Sequence, residues 1–268
     1  MKKSFLRISL IAFLSISTSQ ISKAQNLGSL LNLNQDKATL ALKEALENGI
    51  NKQVVKLTAQ DGFYKNELVK ILLPEEAQKI DKTLRSVGMG KIADQGLLVL
   101  NRAAEEAVKE ATPIFIDAVK NITFTDAKNI LLDGGHAATD YLQEATKKSL
   151  YSKFAPVIQN SFEKVGADKV WNTIFTSYNS LPLVSPVNLD ITDYATQQTM
   201  AGVFKMIALE EENIRSNFSG SRNTEILKDV FGSLDKTKKE DSKSPSQSNL
   251  EEKGNKVKEK LKGLNLFK

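Results

Sequence analysis

The side chains able to carry chemistry sit on helix-spaced runs and form no recognisable catalytic signature. Asn101, Arg102 and Glu105 fall close together, with Glu106 and Lys109 on the same stretch. Leu97, Ala104 and Val108 flank Asn101 on one helical face. An asparagine in that setting must find hydrogen-bond partners, so it fixes register in a core or forms part of a ligand site; the structural role is the simpler reading. Arg102 precedes Glu105 and Glu106 by three and four positions, and Glu105 precedes Lys109 by four. Such a lattice ordinarily decorates a solvated helix face. Gathered in a cleft, the same groups would supply carboxylate chemistry for hydrolysis. Asn179 joins them through an internal correspondence set out below, so the candidate polar site is Asn101, Arg102, Glu105 and Asn179. Glu210, Glu211 and Glu212 with Arg215 read as a second solvated face.

Several chemistries are excluded by residue type. The chain has no cysteine and one histidine, His136, which rules out thiolate chemistry, disulfides and any multi-histidine metal site within one chain. Neither a metal nor a cofactor is expected. Gly88-Met89-Gly90-Lys91 superficially suggests a phosphate loop, but it lacks the Walker spacing and a preceding strand, so a helix–helix turn explains it better. His136 follows two glycines at a helix start, where an exposed first-turn residue is the plain reading. Asp61-Gly62 is turn chemistry rather than a calcium loop.

The elements that must position these residues are helices. Six prolines and 14 glycines in 268 residues, with abundant Ala, Leu, Lys and Glu, favour an all-α multi-helix bundle. Apolar residues recur with a 3.6-residue period and strand alternation is missing. Helices are predicted over 36–48, from Pro74 to before Gly88, and over 90–111. The last carries an alanine-rich seam, Ala93, Leu97, Leu100, Ala104, Ala107 and Ala111, that should let a neighbour approach closely and so lie near the centre. Thr112-Pro113 is predicted to open a helix to Lys120, and Thr125-Asp126 one that stops at Gly134-Gly135. Helices at 136–152, 154–165 and 168–181 follow. Asp190 should cap the longest helix, to about Asn217, and 222–231 closes the series.

Charge separates the ends from the body. Residues 1–24 carry four basic groups and no acid, residues 233–268 ten lysines and six acids, and residues 25–232 have 23 basic and 26 acidic groups. The body therefore offers no net basic footprint for nucleic acid. Residues 1–24 read as a signal peptide: Lys2, Lys3 and Arg7, an apolar run, then Ser22-Lys23-Ala24, with cleavage before Gln25 and an extracytoplasmic product. Residues 25–35 form an extension, 36–232 the helical domain, and 233–268 a low-complexity basic tail. Val257, Leu261 and Leu264 among lysines make a short amphipathic stretch, either solvated or resting weakly on an anionic membrane surface.

Residues 77–101 align without gaps to 155–179, matching Ala77/Ala155, Ile80/Ile158, Val87/Val165, Gly88/Gly166, Lys91/Lys169 and Asn101/Asn179. Two helix–Gly–helix hairpins are predicted, with Gly88 and Gly166 as left-handed caps. The runs LNRAAEEA (100–107), PIFIDAVKNITFTDAKNIL (113–131), ATDYLQEAT (138–146), KFAPVIQNSFEKVG (153–166), DYATQQTMAGVFKMIALEEENIR (193–215) and LKDVFG (227–232) resemble the bacterial family called domain of unknown function 4197. The resemblance implies an exported helical protein without an assigned reaction, so it transfers no catalytic residue. The expected function is a non-enzymatic envelope module binding a protein or an apolar ligand; the rival is an extracytoplasmic hydrolase using helical carboxylates. A polar cleft would favour the hydrolase, an apolar groove the binding module.

Overall fold

Helices account for the regular structure of the computed structural model, and no strand occurs among the described residues. The structure describes residues 35–242 except 74, 165 and 188. The predicted signal peptide, the extension up to residue 34 and the amphipathic stretch at 257–264 lie outside the described residues. In chain order the helices are α1 (Gln35–Thr58), α2 (Glu75–Ser86), α3 (Gly90–Ala107), α4 (Ala111–Lys120), α5 (Phe124–Asp133), α6 (Ala137–Lys164), α7 (Ala167–Asn179), α8 (Ile191–Ser216) and α9 (Glu225–Ser242). Residues 34–231 form one compact unit; of residues 1–33 and 232–268, only 232–242 are described, as the continuation of α9.

Within 34–231 the all-α expectation holds, but several boundaries move. α1 runs ten residues past the predicted end at 48, to Thr58. Gly49 does not break it, because it faces α8 closely: a Cβ there would lie 3.3 Å from Glu210 Cγ. α4 starts at Ala111, with no side-chain cap from Thr112; a 3-10 turn, Val108–Glu110, carries the chain into it from α3. Pro113 is tolerated because first-turn N–H groups lack intrahelical acceptors anyway. Thr123, not Thr125, caps α5: its hydroxyl accepts from Asp126 N while its own N–H donates to the Asp126 carboxylate.

The predicted break near residue 153 does not exist. α6 continues through Pro156 for 28 residues and is longer than α8, which has 26. Pro156 removes one N–H, but the carbonyl it deprives belongs to exposed Ser152, which water can satisfy. Leu142, Leu150, Phe154, Ile158 and Phe162 lie at multiples of four and are all 0% exposed, so tertiary burial holds the helix straight through. α6 and α8 run antiparallel: Ala138 meets Glu211 near one end of the pair and Tyr151 meets Asp193 near the other. α3 packs against α2, α6, α7 and α8, as its small-residue seam predicts. Gly96 lets α7 approach closely there: a Cβ would sit 2.8 Å from Ile174 Cδ1 and 3.3 Å from Trp171 Cζ2, so those side chains would have to shift. α1 covers α8, α4 and α5, and Phe115 of α4 meets Phe204 of α8 edge-on at 5.8 Å.

Candidate functional site

Three of the four candidate polar residues converge on one connection, residues 59–73, and hold it against α3. Asn101 is completely buried. Its Oδ1 accepts from Ile71 N at 2.8 Å, and its Nδ2 donates to Ile71 O at 3.0 Å and to Leu97 O at 2.9 Å. Glu105, also buried, accepts through Oε1 from the backbone N–H groups of Phe63 and Tyr64, at 3.1 and 3.3 Å. Its Oε2 accepts from Arg102 Nη1 at 2.7 Å, and Arg102 Nη2 reaches Asp61 Oδ1 at 2.6 Å. Lys65 pairs with the other Asp61 oxygen. Positions 101, 102 and 105 thus clamp a segment that has no helix or strand of its own to satisfy its amides.

The sequence of that segment explains why it needs a clamp. Asp61 has φ +69°, and the Gly62 that follows has no room for a side chain: a Cβ would lie 2.4 Å from Lys56 O and 2.5 Å from Leu57 O. The chain doubles back tightly on the C-terminal carbonyls of α1. Lys65 and then Arg102 hold the Asp61 carboxyl below its ordinary range, and Glu105 above all holds the Arg102 guanidinium further protonated than usual.

Asn179 is not part of this cluster. It is exposed at the end of α7, where its Oδ1 accepts from Val187 N at 2.9 Å and its Nδ2 donates to Val187 O at 3.1 Å. Asn101 and Asn179 therefore make the same two-pronged contact with one residue of an extended connection. Their partners differ in topology, since Ile71 precedes its hairpin while Val187 follows its own. Gly88 and Gly166 take φ +81° and +68°. At the first, Gly88 N donates to Arg85 O and Met89 N to Leu84 O, the bonding of a Schellman stop. The hairpins differ at their entry: α2 begins afresh at Glu75, whereas the matching helix is the last part of α6.

Glu210 and Glu211 correct the expectation of a solvated face, being 5% and 8% exposed. Glu210 accepts from Lys52 Nζ at 2.5 Å and Gln53 Nε2 at 2.8 Å. Glu211 receives the N-terminus of α6, from Ala138 N, Thr139 N and the Thr139 hydroxyl, at 3.0, 2.9 and 2.8 Å. A carboxylate is well suited to that end of a helix. Arg215 closes the set, donating to Glu211 and to Ile130 O of α5. The available signal was position: Ile207 and Ile214 lie four before and three after Glu211, which puts it inside the apolar stripe.

Two surface concavities border the candidate residues or the longest helices. A cleft of about 590 Å³ lies beside the clamp, lined by Arg102, Glu105, Glu106, Lys109, Ser161 and Lys164, so two of the candidate polar residues border it. A groove of about 690 Å³ runs between α6 and α8, with Glu144, Lys147, Lys148 and Tyr151 on one wall and Met200, Ala201 and Phe204 on the other. His136 is exposed in the turn before α6. Among the described residues no three His, Asp or Glu side chains are grouped to hold a metal ion. No helix among them is long and apolar enough to cross a membrane.

The fold is that of an all-α multi-helix bundle whose recognisable polar cluster binds its own backbone. The family defined as Protein of unknown function (DUF4197) matches residues 32–232, and the chain belongs to it. No curated protein and no solved structure matches the chain.

Proposed function

We propose that this protein is a non-catalytic interaction module of the bacterial envelope, an exported bundle that binds another protein or an apolar ligand. The observation that carries this reading is the fate of the polar cluster on α3. Asn101 and Glu105 face Ile71, Phe63 and Tyr64, and among the described residues Arg102 is the only side chain bonded to Glu105. A general acid or base needs an oxygen within reach of a substrate proton, and both oxygens of Glu105 are already engaged. The Lys- and Arg-containing start of the chain, its apolar run and Ser22-Lys23-Ala24 support export.

Hydrolysis keeps one supporting observation, the cleft in which Glu105, Glu106, Lys109, Ser161 and Lys164 surround Arg102. The two readings separate in one experiment. The full chain is purified gently from its native envelope, and bound protein and lipid are identified by mass spectrometry. In parallel it is incubated with chromogenic ester, phosphate, glycoside and peptide substrates. A stoichiometric partner without turnover is the expected result. Turnover that disappears in Glu106→Gln would overturn the proposal. N-terminal sequencing of the same material should begin at Gln25; a product retaining Met1 would remove the export component.

A further inference from the structure

We propose that the groove between α6 and α8 docks an amphipathic helix of another protein, with its apolar side chains over Ala201 and the Tyr151 ring, above Met200 and Phe204, and its acidic side chains facing Lys147 and Lys148. The proposal rests on the interaction-module reading and gives it a site and a partner chemistry.

The geometry is that of a helix seat. The wall on α6 is formed by positions 143, 144, 147, 148 and 151, and that on α8 by 197, 200, 201 and 204. Each is a stripe at three- and four-residue spacing, about two turns or 11–12 Å long at 1.5 Å per residue. Two antiparallel helices with such stripes present the trough into which a third helix packs, anchored through its own i, i+3 or i+4, and i+7 side chains. The floor is fixed: Phe204, 7% exposed, is held edge-on by Phe115 from beneath, and Met200 beside it is 5% exposed, so exposed Ala201 and the Tyr151 ring supply more of the open apolar surface. A small amphiphile would leave much of itself in solvent in so open a trough, so a helix fits better.

Charge selects the partner's sign. The body of the chain is slightly acidic, with 23 basic and 26 acidic residues over 25–232. Along the groove wall on α6, however, Lys147 and Lys148 outnumber Glu144. None of the ion pairs among the described residues uses Lys147 or Lys148, although other charges around the bundle are paired across elements. Exposed cations beside an apolar floor favour a helix flanked by Asp or Glu, mainly through faster encounter and correct register.

The test uses the full chain and three fluorescein-labelled helical peptides: one with leucines at i, i+4 and i+7 flanked by glutamates, one with lysines replacing those glutamates, and one keeping the glutamates but with the leucines changed to serine. Anisotropy should show saturable binding of the first alone, weakening as salt rises. Ala201→Arg should abolish binding with an unchanged thermal melt, since Ala201 is exposed. Lys147→Glu with Lys148→Glu should weaken the acidic peptide about tenfold or more and admit the lysine peptide. Equal binding of all three, no saturable binding, or indifference to Ala201→Arg overturns the proposal. So does binding of phosphatidylglycerol vesicles or laurate where the peptides fail, and so does a dimer in sedimentation that Ala201→Arg dissolves. A native partner that survives Ala201→Arg would remove this site and leave the interaction module standing; turnover would remove the module and not the peptide binding.

Discussion

Asn101 and Asn179 make matching contacts in unlike surroundings, and burial decides the consequence of losing each. Replacing Asn101 with Leu leaves the N–H and C=O of Ile71 without partners at a site from which water is excluded, and each such group costs about 1–3 kcal/mol. Asn101→Leu should therefore lower stability by roughly 2–6 kcal/mol in urea unfolding. Asn179→Leu should cost less than about 1 kcal/mol, because solvent can take over at Val187. Similar losses at both positions would refute this account. Asn101 was legible in the sequence through its apolar flanks. Glu105 was not, because a helical Arg/Glu/Lys lattice looks the same whether it meets water or the amides of a loop some 40 residues away.

At the scale of the element, termini carry most of what local sequence encodes. In the α5 capping box the Thr123 N–H, and then its hydroxyl, hold the Asp126 carboxyl below its ordinary value. A carboxyl with a lower pKa folded than unfolded adds stability above its unfolded pKa and loses it as the pH falls through its folded one. The contribution of this cap should thus be full at neutral pH and fade only below about pH 4. Thr123→Ala should raise the Asp126 pKa in an NMR titration and cost about 1 kcal/mol at pH 7; an unmoved Asp126 would count against the box. Gly88 and Gly166 have positive φ with open space where a Cβ would go. Gly88→Ala and Gly166→Ala should each destabilise by about 1 kcal/mol through backbone conformation alone. Thermal melts that do not shift would show that the turns relax at no cost.

For the molecule as a whole, Glu211 and Arg215 tie together three helices that the sequence gives no reason to join. Glu211 takes the first amides of α6, and Arg215 takes a carbonyl of α5. Removing one partner of a buried ion pair strands the other, typically at about 3–5 kcal/mol. Glu211→Ala should fall in that range, and Glu211→Gln should recover part of it by still accepting from Ala138 or Thr139. A loss below about 1 kcal/mol for Glu211→Ala would mean that water replaces the carboxylate and that the helices are held by apolar packing alone.

By itself the sequence determined the helical class, the glycine stops at 88, 134 and 166, the Asp190 cap and the central place of the alanine seam. Each of these depends on spacing within one turn or two, or on a backbone angle that only a few residue types accept. Tertiary structure decided the rest. α1 passes Gly49 because α8 lies against it, and α6 passes Pro156 because a row of buried apolar side chains outweighs one missing hydrogen bond. Asn101 and Glu105 serve the 59–73 connection because a segment without regular structure must have its buried amides satisfied from somewhere. Glu210 and Glu211 are buried rather than solvated because their partners, at 52–53 and 138–139, come from other helices. Local spacing cannot announce contacts between residues 70 or 150 positions apart.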